Sequence, residues 1–134
     1  MVLDASAVLA YLQQEAGWER VEAALLQGRC VLSGVNLAEV LSRLSDWDVP
    51  LEEAQAALAA WDLEVAVFDA PAARATAALR PLTRALGLSL GDRACLALAQ
   101  TRGMTALTAD RAWARLGPGL GVAVDSIRPE SADR

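Results

Sequence analysis

Residues 87–100, GLSLGDRACLALAQ, place apolar side chains at helical spacing on nearly every face of the helix they predict, so that helix must be enclosed on most sides. Asp92 and Arg93 nevertheless stand side by side in its first turn, which therefore opens onto something other than free solvent. The rest of the chain offers the means of enclosure. Short apolar runs at MVLD (1–4), CVLS (30–33), EVAVF (64–68) and MTALTA (104–109) read as strands, with GVAVD (121–125) as a last edge strand. Between them lie helical stretches: SAVLAYLQQ, WERVEAALLQG closed by Gly28, a helix from about Asn36 to Trp47, and LEEAQAALAAW entered after Pro50. A long helix starts at Pro71 and ends near Gly87; another runs from Ser89 to about Arg102, where Gly103 stops it, and a short one begins at Asp110.

Short strands alternating with helices predict an α/β fold in three layers: a mostly parallel central sheet of four to five strands, joined by right-handed crossovers and flanked by helices. The 134 residues, 54% of them hydrophobic, suit one domain over 1–128, followed by a polar, loose tail at 129–134. Cys30 and Cys95 sit inside apolar runs, as small buried hydrophobes in a reducing cytosol would. A start without a basic leader and the lack of a long uncharged apolar run predict a soluble, cytoplasmic protein with no membrane partner.

The chain has no histidine, which excludes the usual general base, Ser-His-Asp devices and imidazole metal sites. It has no lysine either, all 12 basic residues being arginine, so P-loop and Schiff-base chemistry are excluded too. What remains is carboxylates, hydroxyls and arginine, and the ion that carboxylates hold is a hard one such as magnesium or manganese.

In parallel α/β sheets ligands sit beyond the carboxyl ends of the strands, and four acids fall at such junctions. Asp4 closes the first strand, Glu39 follows the second by one turn, Asp92 opens the apolar helix, and Asp110 follows the fourth strand. Each also suits a helix cap: Asp4 and Asp110 directly, Asn36 with Glu39 and Ser89 with Asp92 at capping-box spacing. Capping leaves the enclosed setting of Asp92 unexplained. Ser6 and Thr108, each two residues from an acid in DAS and TAD, add hydroxyls at the same edge.

VLDASAVLA, NLAEV, LSLGDRACLALA and LTADRAW, in that order and at these separations, resemble a PIN-domain ribonuclease, specifically a VapC-type toxin of a bacterial toxin–antitoxin pair. The resemblance runs from residue 1 to about 128, and the block from Leu88 to Leu98 is its most specific part. It implies an acidic pocket of Asp4, Glu39, Asp92 and Asp110 that binds Mg2+ or Mn2+ and cleaves RNA, supported by Ser6, Asn36 and Thr108. Asp4, Asp92 and Asp110 are then metal ligands, the last directly or through water, and Glu39 orients or deprotonates the attacking water. The resemblance further implies products that carry a 5′-phosphate and a 3′-hydroxyl. It also implies inhibition of translation through cleavage of tRNA- or rRNA-class RNA, a cognate antitoxin whose peptide fills a groove, and a homodimer, which alanine-rich helices suit. One departure is that only three residues precede Asp4, which predicts a short first strand with weaker anchoring of that carboxylate.

Two carboxylates about 5 Å apart repel by roughly 3 kcal/mol at an effective dielectric near 20, so a bare cluster is unfavourable and a dication relieves it. A net charge of −5 is wrong for gripping a long polyanion along its length, so RNA binding falls to a few arginines near the cleft: Arg93 and Arg111 beside catalytic positions, and Arg43. Trp47 and Trp61 suit the core or a partner groove. Haloacid-dehalogenase phosphatases and response-regulator receivers also use strand-end aspartates, but they need a lysine, which this chain lacks. A noncatalytic RNA- or protein-binding module on the same fold is the remaining alternative.

Overall fold

The computed structural model describes residues 1–128. Five strands, β1 (Val2–Leu3), β2 (Cys30–Ser33), β3 (Leu63–Ala66), β4 (Ala106–Thr108) and β5 (Val124–Ser126), form one sheet in the order β3-β2-β1-β4-β5, every neighbouring pair parallel. The helices are α1 (Ala5–Gln13), α2 (Trp18–Gln27), α3 (Gly34–Asp46), α4 (Leu51–Ala59), α5 (Ala70–Ala78), α6 (Arg80–Thr83), α7 (Leu90–Arg102) and α8 (Gly117–Leu120). Two 3-10 segments lie at Arg84–Leu86 and Ala112–Leu116.

The central strands are apolar on both faces, as strands covered on both sides must be. Successive residues alternate between two cores. Leu3, Leu32 and Leu107 pack against α1 to α4, with Val8, Val21 and Val40 among the buried residues there. Val2, Val31 and Ala106 pack on the opposite side with Leu88, Cys95, Leu96 and Trp113, beneath the elements from α5 to α8. This is the expected three-layer α/β sandwich. Among the described residues no helix is long and apolar enough to cross a membrane.

Several boundaries move, each for a local reason. The predicted helix from Pro71 to Gly87 breaks after Ala78, because Pro81 supplies no N–H and its ring clashes with the carbonyl four residues back. The chain stays near helical but turns, with Leu79 and Thr83 buried and Thr83 Oγ1 donating to the Leu79 carbonyl at 2.8 Å. The third helix starts at Gly34 rather than Asn36, since Ser33 is its N-cap and accepts from Val35 N at 3.2 Å. The segment after Asp110 is a 3-10 turn followed by α8, and β3, β4 and β5 are shorter than or shifted from their predicted runs.

The first strand is short, yet Asp4 is not loosely held. Val2 pairs with both Val31 and Ala106, and Asp4 N donates to the Leu107 carbonyl at 2.9 Å. The two cysteines are free and buried. Trp61 packs edge-on against Tyr11 with ring centroids 5.1 Å apart, whereas Trp47 is 40% exposed. The expected tail at 129–134 lies outside the described residues.

Candidate active site

Asp4 ends the central strand and enters α1 without capping it. Its carboxylate turns across the sheet edge instead, where Oδ2 accepts from Ser6 Oγ at 2.6 Å and from Thr108 Oγ1 at 3.1 Å. Both hydroxyls are themselves fixed by the backbone of the β4 loop: Ala109 N donates to Ser6 Oγ at 2.9 Å and Asp110 N to Thr108 Oγ1 at 3.0 Å. The DAS and TAD stretches thus form one network that sets the carboxylate in place. Burial pushes the Asp4 pKa from 3.8 up to about 7; the Ser6 and Thr108 hydrogen bonds pull it down, while the charges of Asp92 and Glu39 push it further up.

Asp92 and Glu39 come from opposite helical layers. Asp92 lies in the first turn of α7 and closes a capping box: Ser89 Oγ accepts from Asp92 N, and Asp92 Oδ2 accepts from Ser89 N, each at 3.1 Å. The capping expectation therefore holds at Asp92 and fails at Asn36, which is a fully buried bridge. Asn36 Nδ2 donates to Glu39 Oε1 at 2.8 Å and to the Gly91 carbonyl of α7 at 3.0 Å, while its Oδ1 is buried with no hydrogen-bond partner among the described residues. Glu39 is held so close to Gly91 that a Cβ at that position would run into its carboxylate. The sequence reading passes over Gly91, although a glycine inside an otherwise apolar helix signals close approach of a neighbour.

Asp110 joins this group through its main chain, by way of Thr108 Oγ1. It is exposed, and Oδ1 accepts from Ala112 N at 2.8 Å in its own turn. It borders an open cleft of about 390 Å³ lined by Ser6, Ala109, Asp110, Arg111 and Arg128. A second cavity, about 410 Å³ and mostly apolar, lies between α5 and α7 beside β3, and none of the four candidate acids lines it. Of the arginines named from sequence, Arg43 is exposed on α3 and Arg111 lies in the Asp110 cleft. Arg93 turns away toward α5, Nη1 donating to the Thr76 carbonyl at 3.4 Å.

Asp4, Asp92 and Glu39 also raise the thiol pKa of Cys95, already pushed up by its burial, so the three negative charges surround one region at the head of α7. Among the described residues no three acidic or sulfur side chains stand close enough to chelate one ion as they are turned here. The side-chain hydrogen bonds say why: Asp92 and Asp110 are each drawn to a main-chain N–H, and Glu39 to Asn36. The donor set still suits a hard divalent cation in kind, consisting of carboxylate oxygens, with the buried one at Asp4 braced by two hydroxyls and offset by no cationic side chain.

The family model of the PIN domain matches residues 1–117. In fold the chain is similar to the toxin-antitoxin complex from Klebsiella pneumoniae, at 18% identity and a TM-score of 0.72 over 94% of this chain and 96% of that one. It is similar to DNA-bound VapBC from Salmonella typhimurium, at 20% identity and a TM-score of 0.66 over 94% and 96% of the two chains. VapBC2 from Rickettsia felis bound to a DNA fragment from their promoter gives 20% identity and a TM-score of 0.65 over 93% and 96%. No curated protein matches the sequence. With the family model spanning nearly all of the described chain, and with the sheet order and strand-end carboxylates above, the chain belongs to the PIN domain family.

Proposed function

We propose that this chain is a VapC-type toxin: a magnesium- or manganese-dependent endoribonuclease that cleaves structured cellular RNA of the tRNA or rRNA class, inhibits translation, and is neutralised by a cognate antitoxin. The single observation that carries the reading is the state of Asp4. It is a buried carboxylate at the end of the central strand, with its pKa lifted to about 7, two further acids in its field and two hydroxyls holding it still. Such a group is poorly solvated and poorly compensated by the chain alone, which is how ligands for hard cations are kept. The similarity to solved toxin–antitoxin complexes supports an antitoxin partner, and the reading extends to a homodimer in the cytoplasm.

In this reading Asp4 and Asp92 are the principal metal ligands, with Asp110 a third, directly or through water. A bound divalent ion would offset their charge, polarise a phosphate oxygen and lower the pKa of water, which supplies a nucleophile without histidine. Glu39 orients the attacking water or takes its proton, and Asn36 fixes Glu39 by donating to one of its oxygens. Ser6 and Thr108 position Asp4 and tie its loop to that of Asp110. Arg93 and Arg111 adjoin the site.

Asp4→Asn tests the proposal. It should abolish Mn2+-dependent cleavage of a structured RNA and the growth inhibition seen on induction, while the metal-free fold melts no lower than wild type. An unaltered cleavage rate would sink it. Sequencing of RNA fragments released on brief induction identifies the target. The hydrogen bond from Ala112 N to Asp110 favours a second reading, a noncatalytic binding module on the same fold, because it makes Asp110 a local cap. Calorimetry separates the two: heat on titrating manganese supports the nuclease, and its absence the module.

A further inference from the structure

The net charge of −5 hides a division. Residues 5–62, which supply α1 to α4, contain nine carboxylates and three arginines; residues 70–120, which supply α5 to α8, contain seven arginines and two carboxylates. Within the second group, the stretch from 70 to 91 has no acid at all and carries Arg74, Arg80 and Arg84, all exposed. We infer that this arm, from α5 through α6 to the 3-10 turn at Arg84–Leu86, binds the phosphodiester backbone of the substrate RNA and guides it to the mouth at Asp92. The identity of the ligand rests on the nuclease reading above.

Four features converge on that assignment. Among the described residues two ion pairs occur, Arg20 with Asp125 and Arg102 with Glu64, so none of the three arm arginines is neutralised by a carboxylate there. Arg80 and Arg84 are one turn apart on near-helical backbone while Leu79 and Thr83 face inward, which presents the two guanidinium groups outward together. Guanidinium groups match phosphate oxygens in a two-pronged geometry and keep their charge. The arm then ends at Gly87, left-handed at φ 64°, and delivers the chain to Ser89 of the capping box. Ser89 follows Arg84 by five positions, so Arg84 at the end of the arm lies within about 18 Å of the start of the Asp92 turn by the reach of the backbone.

Leu82, Leu86 and Leu90 are also exposed along this arm, at 63%, 50% and 52%. A second copy of the chain is a poor occupant, because a two-fold contact through one patch sets like arginines against each other. A phosphodiester chain meets the charge and leaves the leucines to sugar and base edges.

The test uses the full chain, a labelled single-stranded RNA oligonucleotide and EDTA, so that binding is read by fluorescence anisotropy without turnover. Arg80→Gln/Arg84→Gln should weaken binding about tenfold at moderate salt and flatten the slope of log K against log salt by about 0.7 for each phosphate no longer neutralised. Arg29→Gln, exposed in the acidic half of the chain, should change neither, and an unchanged melting temperature verifies that the double variant is folded. With Mn2+ present the double variant should raise KM and keep kcat. Equal affinity and equal salt slope would overturn the inference. So would a drop in particle mass by light scattering with RNA affinity intact, which would assign the arm to a contact between copies. Arginine-dependent binding without any cleavage would fail the nuclease reading and leave this one standing; cleavage indifferent to the two arginines would do the reverse.

Discussion

The two helical layers do the same mechanical work against the sheet with different materials. The layer of α1 to α4 buries aliphatic side chains and no aromatic one in its core, Val8, Val21, Val40, Leu44 and Leu58 among them, and turns carboxylates outward. The layer of α5 to α8 is keyed by one large residue, Trp113, which is fully buried, and turns arginines outward. Sheet packing requires only an apolar inner face of the right volume, so the outer charge of each layer is free to vary. The candidate site uses both: Glu39 comes from the acidic layer, Asp92 from the basic one, and Asp4 from the strand between them. Asn36 spans the seam by donating to Gly91.

The largest effect should come from the key of the basic layer. Trp113→Ala should cost about 3–5 kcal/mol in chemical denaturation, because it empties a large buried volume, whereas Val21→Ala in the acidic layer should cost about 2 kcal/mol. Equal losses would mean that the layers are not filled in these different ways.

The next largest concerns Asp4 at the seam. With its pKa raised from 3.8 to about 7, the folded metal-free chain keeps a proton that the unfolded chain has released. Stability therefore declines as pH rises from about 4 to about 7 and is level above, by at most about 4 kcal/mol. Asp4→Asn should flatten that part of the profile, as read from urea midpoints across pH in EDTA.

Gly91→Ala should separate stability from activity. The added methyl displaces the exposed end of Glu39, while alanine suits a helix better than glycine by about 1 kcal/mol. The expected result is an unfolding midpoint equal to or above wild type and a cleavage rate reduced about tenfold or more, as loss of a positioned base or water ligand requires. Smallest of all, Glu52→Gln/Glu53→Gln on the acidic layer should shift stability by less than about 0.5 kcal/mol and leave RNA affinity within about twofold. A gain as large as the loss expected at Arg80 and Arg84 would mean that total charge matters and the layer does not.

Much of this architecture was legible from the chain. Alternating apolar runs and helical periods yielded the parallel sheet, and the apolar run from Ala94 to Ala99 within the helix Leu90–Arg102 yielded its own enclosure. Local chemistry also marked Ser6 and Thr108, whose hydroxyls do meet the Asp4 carboxylate. Harder to read was anything set by competition between neighbours. Pro71 announced a helix whose end was decided by Pro81, and Asn36 had the spacing of a cap that Ser33 took first. The opposition of charge was invisible for a different reason: it belongs to the assignment of helices to faces, which exists only once the sheet order is known. The hydrogen bond from Ala112 N to the Asp110 carboxylate is likewise a local competition that spacing does not reveal.

The capping box at the head of α7 has one more consequence. Asp92 Oδ2 accepts the amide proton of Ser89, so any ligand that draws this oxygen aside must expose that amide to water. Hydrogen–deuterium exchange at a single residue, 89, would then report occupancy of the neighbouring site with neither turnover nor a labelled substrate. Helix-end fraying and ligand capture become two readings of one oxygen's position.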